Sequence, residues 1–101
     1  MKRYSIIQPD LNECWFCHKR EYLHKHEVFF GTANRKKSIK YGMVVALCPE
    51  HHNMSSQGVH HNRRRDLELK RYAQKVFEEK YGHEKFMEVF GKSYEDIHDG
   101  Y

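Results

Sequence analysis

The chain has little that could serve as a membrane span, an export signal or a disulfide framework. No apolar run approaches the roughly 18 residues that a bilayer crossing needs. The opening residues, Met1-Lys2-Arg3-Tyr4-Ser5-Ile6-Ile7, lack both the apolar stretch and the small-residue cleavage site of a secretory signal. A cytoplasmic protein without a membrane partner is therefore expected. There is no internal repeat and no low-complexity segment, so the 101 residues are expected to form one small domain. Cysteine is scarce: three residues cannot all pair, and in a reducing cytosol a Cys-x-x-Cys with a later Cys/His pair reads as zinc ligation. A redox Cys-x-x-Cys should open a helix in a βαβ unit, and that unit is missing. A chain this short buries its surface poorly on folding, so something besides apolar burial is expected to stabilise it.

What is abundant is charge and histidine. Nine histidines accompany 18 basic and 14 acidic residues, for a net charge of +4. The basic excess is clustered in Arg35-Lys36-Lys37 and Arg63-Arg64-Arg65, which favours a polyanionic partner. The second cluster is informative because positive charge at a helix start opposes the helix dipole. Three arginines there are better explained as phosphate contacts.

The apolar and breaker residues predict the element order. Residues 1–13 read as an irregular lead-in, and 21–30 as a strand bounded by Gly31. Residues 31–40 read as a basic loop with at most a helical turn, and the apolar run 43–47 as a buried second strand. Cys48-Pro49-Glu50 opens a short helix, with proline where its missing N–H costs nothing and Gly58 expected to close it. Asn62 is a good cap for a helix over 63–81, and 84–90 reads as a last short helix. The segment from Ser93, carrying Glu95, Asp96 and Asp99, is expected to be loose.

Cys14 and Cys17 supply one ligand pair for a structural zinc, and Cys48 and His51, three apart at a helix opening, supply the other. His52 and His18 are the rivals for the fourth place. His18, His83 and His98 are otherwise expected to be ordinary side chains. His52 is turned about 100° around the helix from His51, toward the strand that holds His24 and His26.

Strand, loop, strand, and a helix beginning Leu47-Cys48-Pro49-Glu50-His51-His52-Asn53 make up an order that resembles the HNH nucleases, also called His-Me finger or ββα-metal nucleases. The likeness covers about residues 14–62. It is greatest to small phage-encoded members, through His26-Glu27-Val28-Phe29-Phe30-Gly31, Asn34-Arg35-Lys36-Lys37-Ser38 and Gly58-Val59-His60. The resemblance implies an α+β fold with a zinc-stabilised, treble-clef-like ββα-metal core over 14–62; beyond it, the residue pattern itself gives a helical extension over 63–91 and a flexible tail over 92–101. It implies a DNA endonuclease in which His26, His52 and His60 hold a second divalent ion (Mg2+, Mn2+, Ni2+ or Zn2+) and Glu27 falls at the general-base position. His61 competes with His60, and His24 or His26 could replace Glu27 as base. Three departures stand out: glutamate where the family has a histidine; Gly42-Met43-Val44 near the family's middle asparagine, for which Asn34 is the substitute; and a spacing from His52 to His60 longer than the commonest one-turn spacing. The alternatives are a non-catalytic treble-clef module that binds nucleic acid or protein, and an interaction module of a phage packaging or recombination machine.

Overall fold

The computed structural model describes residues 3–56 and 58–95; Asp96, His98 and Asp99 lie outside them. Strand β1 (His24–Glu27) pairs antiparallel with β2 (Val44–Leu47), with His24 opposite Leu47 and His26 opposite Val45. Between them runs α1 (Thr32–Lys40). A π-helical turn, Glu50–Met54, follows β2, and α2 (Arg63–Tyr81) and α3 (His83–Phe90) complete an α+β globule.

Every residue of β2 is buried, which is why its sequence is apolar throughout and does not alternate. Its far edge is covered by the lead-in. The Ala46 N–H donates to Gln8 Oε1 (2.8 Å), and the Ala46 carbonyl accepts from the Trp15 N–H (2.8 Å). The edge is thereby closed to another strand, and the segment that carries Cys14 is fixed against the sheet.

β1 is shorter than the ten residues expected. Tyr22 has φ +58°, a left-handed conformation that interrupts any strand before residue 24. Beyond Glu27 the chain turns inward so that Phe29 reaches the core, where its ring meets Phe86 (5.3 Å between centroids) and Phe90 (4.5 Å). Phe77 of α2 joins the same cluster through Phe86 (5.4 Å). Each such ring contributes about 1.5–3 kcal/mol by burial alone.

The basic segment 32–40 is a nine-residue helix, not a loop. It has no apolar stripe, because only Ser38 is buried. Ser38 attaches the helix to the sheet: its hydroxyl donates to the Phe29 carbonyl (2.7 Å) and accepts from the Phe29 N–H (3.1 Å). α2 keeps the expected bounds, and Asn62 caps it by accepting from the Arg65 N–H (3.1 Å). Ser93 and Tyr94, expected in a loose tail, are tied down by the buried Gln74, which accepts from the Tyr94 N–H (2.8 Å) and donates to Ser93 Oγ (3.1 Å).

The short helix after Cys48 ends at Met54, so Gly58 does not close it. Gly58 instead permits a close approach. A Cβ there would lie 2.8 Å from the His52 carbonyl oxygen, well inside contact distance. That approach lets the Val59 N–H reach the His51 carbonyl (3.0 Å) and the His60 N–H reach the His52 carbonyl (3.1 Å), folding His60 back over His52.

Candidate metal centres

Cys14, Cys17, Cys48 and His51 come together with one donor atom each, all within 4.8 Å of one another. The knuckle is shaped by Cys14 itself, whose carbonyl accepts from the His18 N–H (2.9 Å) while its N–H reaches the Lys19 carbonyl (2.8 Å). Cys17 Sγ lies 3.7 Å from Cys48 Sγ, and His51 Nδ1 lies 3.3 Å from Cys48 Sγ and 3.7 Å from Cys14 Sγ. Zinc–ligand bonds of about 2.3 Å to sulfur and 2.0–2.1 Å to nitrogen imply tetrahedron edges of about 3.5–3.8 Å. These four groups could therefore hold a metal ion such as zinc with little movement.

The thiols are electrostatically unequal. Burial opposes the Cys14 thiolate, but the amides of Cys48, Cys17 and Phe16 outweigh it and bring the thiol below its ordinary value. Cys17 is pushed up by burial and by the two neighbouring sulfurs. A cation among them relieves that mutual opposition. His18, the rival ligand, instead faces Glu13 (3.3 Å) from an exposed position.

A second cluster comprises His26, His52 and His60, whose donor atoms also lie within 4.8 Å of one another. His52 Nε2 is 3.2 Å from His60 Nε2. His26, only 3% exposed, has a buried Nε2 with no hydrogen-bond partner among the described residues. An unpaired polar atom in that position is costly, and a ligand would satisfy it. His51 and His52, adjacent in sequence, thus serve different clusters, as the turn of the helix requires. His61 points elsewhere, with Nε2 on the Asn53 carbonyl (2.8 Å).

Burial, reinforced by His52 and His60, lowers the His26 pKa to about 3, and burial with His60 and His24 lowers that of His52 to about 4. At neutral pH both imidazoles offer lone pairs. The same shifts have a stability consequence. Above about pH 6.5 both rings are neutral whether folded or not. As pH falls below that value the unfolded chain takes up protons that the folded chain refuses, so stability declines toward pH 3, by at most about 1.4 kcal/mol per pH unit and group. Denaturant midpoints measured between pH 7 and 5, without a second ion, should fall less steeply in His26→Gln than in wild type. Parallel curves would mean that His26 does not resist protonation.

The expected base, Glu27, faces Arg35 (Oε1 to Nε 3.4 Å) and Arg3 (Oε2 to Nε 3.6 Å). Arg35 also lies near enough to depress His26 and His60. Asn34 lies in the first turns of α1, half-buried. An open cleft of about 350 Å³ adjoins the histidines, lined among others by Phe30, His60, Asn62, Arg63 and Asp66. The three arginines at the start of α2 divide: Arg63 lines the cleft, Arg64 is exposed, and Arg65 is half-buried with its guanidinium 5.1 Å from the centre of the Phe16 ring.

Composition gave no warning of Lys70. This lysine is 5% exposed, holds both Asp66 carboxylate oxygens (2.5 and 2.6 Å) and lies 3.8 Å from the centre of the Phe30 ring. The signal was its place on the apolar stripe of α2, three residues after Leu67 and three before Ala73. No helix among the described residues is long and apolar enough to cross a membrane. No family model matches the chain, and no curated protein or solved structure is similar enough to it to be informative, so its chemistry rests on its own residues.

Proposed function

We propose that this chain is a metal-dependent endonuclease of the HNH type, built on a ββα-metal, treble-clef-like core in which the Cys/His centre holds structural zinc and His26, His52 and His60 hold a second divalent ion. The observation that carries this reading is the convergence of three imidazoles, one with an unsatisfied buried nitrogen, beside a cleft edged with arginine. A divalent ion held there would stabilise the charge on a pentacovalent phosphate and on the leaving oxygen. Arg35 and Arg63 flank the cluster and suit the scissile phosphate and a neighbouring one. When Arg35 turns to phosphate, it frees Glu27 Oε1, while Arg3 continues to hold Oε2. The freed oxygen then accepts a proton from water as the water oxygen bonds to phosphorus and the bond to the leaving oxygen breaks.

Supercoiled plasmid incubated with zinc-loaded protein and added magnesium, manganese or nickel should become nicked or linear. Glu27→Gln should slow this by roughly 10²–10⁴-fold, the usual contribution of a positioned base, without weakening DNA binding, since it removes a negative charge that competes with phosphate for Arg35. Absence of product from folded wild type with every ion would refute the proposal.

The second reading, a non-catalytic zinc module that binds nucleic acid, draws on the pairing of Glu27 with two guanidinium groups. Both readings require phosphate contacts. Removing Arg63 and Arg64 together should lower the slope of log affinity against log salt by about 2, close to one unit per phosphate contact. Arg65→Ala should leave the slope unchanged, because that guanidinium stacks on Phe16. Equal effects of the two changes in a binding titration would contradict the division.

A further inference from the structure

His52 has a second neighbour that the ligand set does not include. Its Nε2 faces His60 Nε2 at 3.2 Å, while its Nδ1 lies 2.8 Å from His24 Nδ1. Strand geometry brings this about. His24 and His26 are two apart on β1 and share a face, and His24 pairs with Leu47, next to the Cys48 carbonyl that receives the His52 N–H (3.0 Å). His26 is buried beneath the cluster, and His24, exposed at the strand's start, reaches the outer edge of the His52 ring.

Two imidazole nitrogens at 2.8 Å share one proton, and a neutral imidazole carries only one. A proton on His52 Nε2 would point at His60 and occupy the lone pair needed for ligation. A proton on His52 Nδ1, donated to His24 Nδ1, leaves Nε2 free and puts the His24 proton on its own Nε2.

We propose that His24 is a positioning residue for the second ion: by accepting the Nδ1–H of His52 it fixes that ring in the tautomer and orientation whose Nε2 can ligate. The inference rests on the reading of His26, His52 and His60 as ligands. Partners of this kind, one shell out from a metal, typically contribute 10–100-fold in affinity. His24 needs no contact with the ion or the DNA to act in this way.

The test is calorimetric titration of nickel into protein carrying one zinc, for wild type, His24→Phe and His24→Asn, alongside ¹⁵N imidazole spectra before nickel is added. His24→Phe should weaken nickel binding 10–100-fold while retaining its zinc. His24→Asn, whose Oδ1 can accept the same proton, should recover most of the loss. The wild-type His52 ring should carry its proton on Nδ1, and in His24→Phe it should shift toward Nε2. Equal nickel affinity in all three proteins would overturn the role of His24 alone, and so would an Nε2–H His52 in wild type, a result that needs no variant to fold. A wild type that takes no second ion at all would overturn the three-ligand reading and this proposal with it.

Discussion

Cys48→Ser is expected to leave the chain unfolded at room temperature. Cys48 is fully buried where β2 passes into the π-helical turn, with its sulfur between Cys17 (3.7 Å) and His51 (3.3 Å). Structural zinc in small domains contributes on the order of 10 kcal/mol, nearly all of it as folding energy. The whole net stability of a domain is about 5–15 kcal/mol, so losing most of the metal term consumes it. Circular dichroism should show loss of the helices in Cys48→Ser, and in wild type on adding a strong zinc chelator. A cooperative thermal transition surviving in either sample would mean that the aromatic cluster around Phe29, Phe77 and Phe86 is sufficient by itself.

His52→Ala should do the opposite: keep the fold and lose the chemistry. The ring is half-buried and surrounded by other imidazoles that oppose its charge, so truncation should change stability by no more than about 1 kcal/mol. A missing ligand, by contrast, removes the ion's share of transition-state stabilisation, several kcal/mol. At about 1.4 kcal/mol per decade, plasmid cleavage should fall roughly 10³-fold or more. Unfolding of His52→Ala would assign His52 to the structural zinc and leave His51 without its role.

The contrast between these two variants reflects how the sites are written in the sequence. Ligand pairs at short spacing are legible because local geometry dictates them: a knuckle must present Cys14 and Cys17 together, and a helical turn must send His51 and His52 in different directions. The bounds of α2 were legible for the same reason, since Asn62 caps within its own turn. α1 was not legible, because it buries no apolar stripe and is attached to the sheet through hydrogen bonds between Ser38 and the Phe29 backbone, nine residues back. The positioning contact of His24 depends on strand register across 28 residues. Lys70 and Gln74 are buried polar side chains whose partners lie elsewhere on α2 and on the segment after α3. The approach of the Arg65 guanidinium to the Phe16 ring likewise joins residues 49 positions apart, which no local pattern encodes.

Two independent metal centres in this short chain, one that makes the fold and one that uses it, would bind two ions of different exchangeability. Native mass spectrometry of wild type and His52→Ala, equilibrated with zinc and then nickel, counts them. Two ions per wild-type chain and one per His52→Ala chain are expected, with both proteins folded. One ion in each would reduce the protein to a single-zinc module and leave the three histidines without a metal.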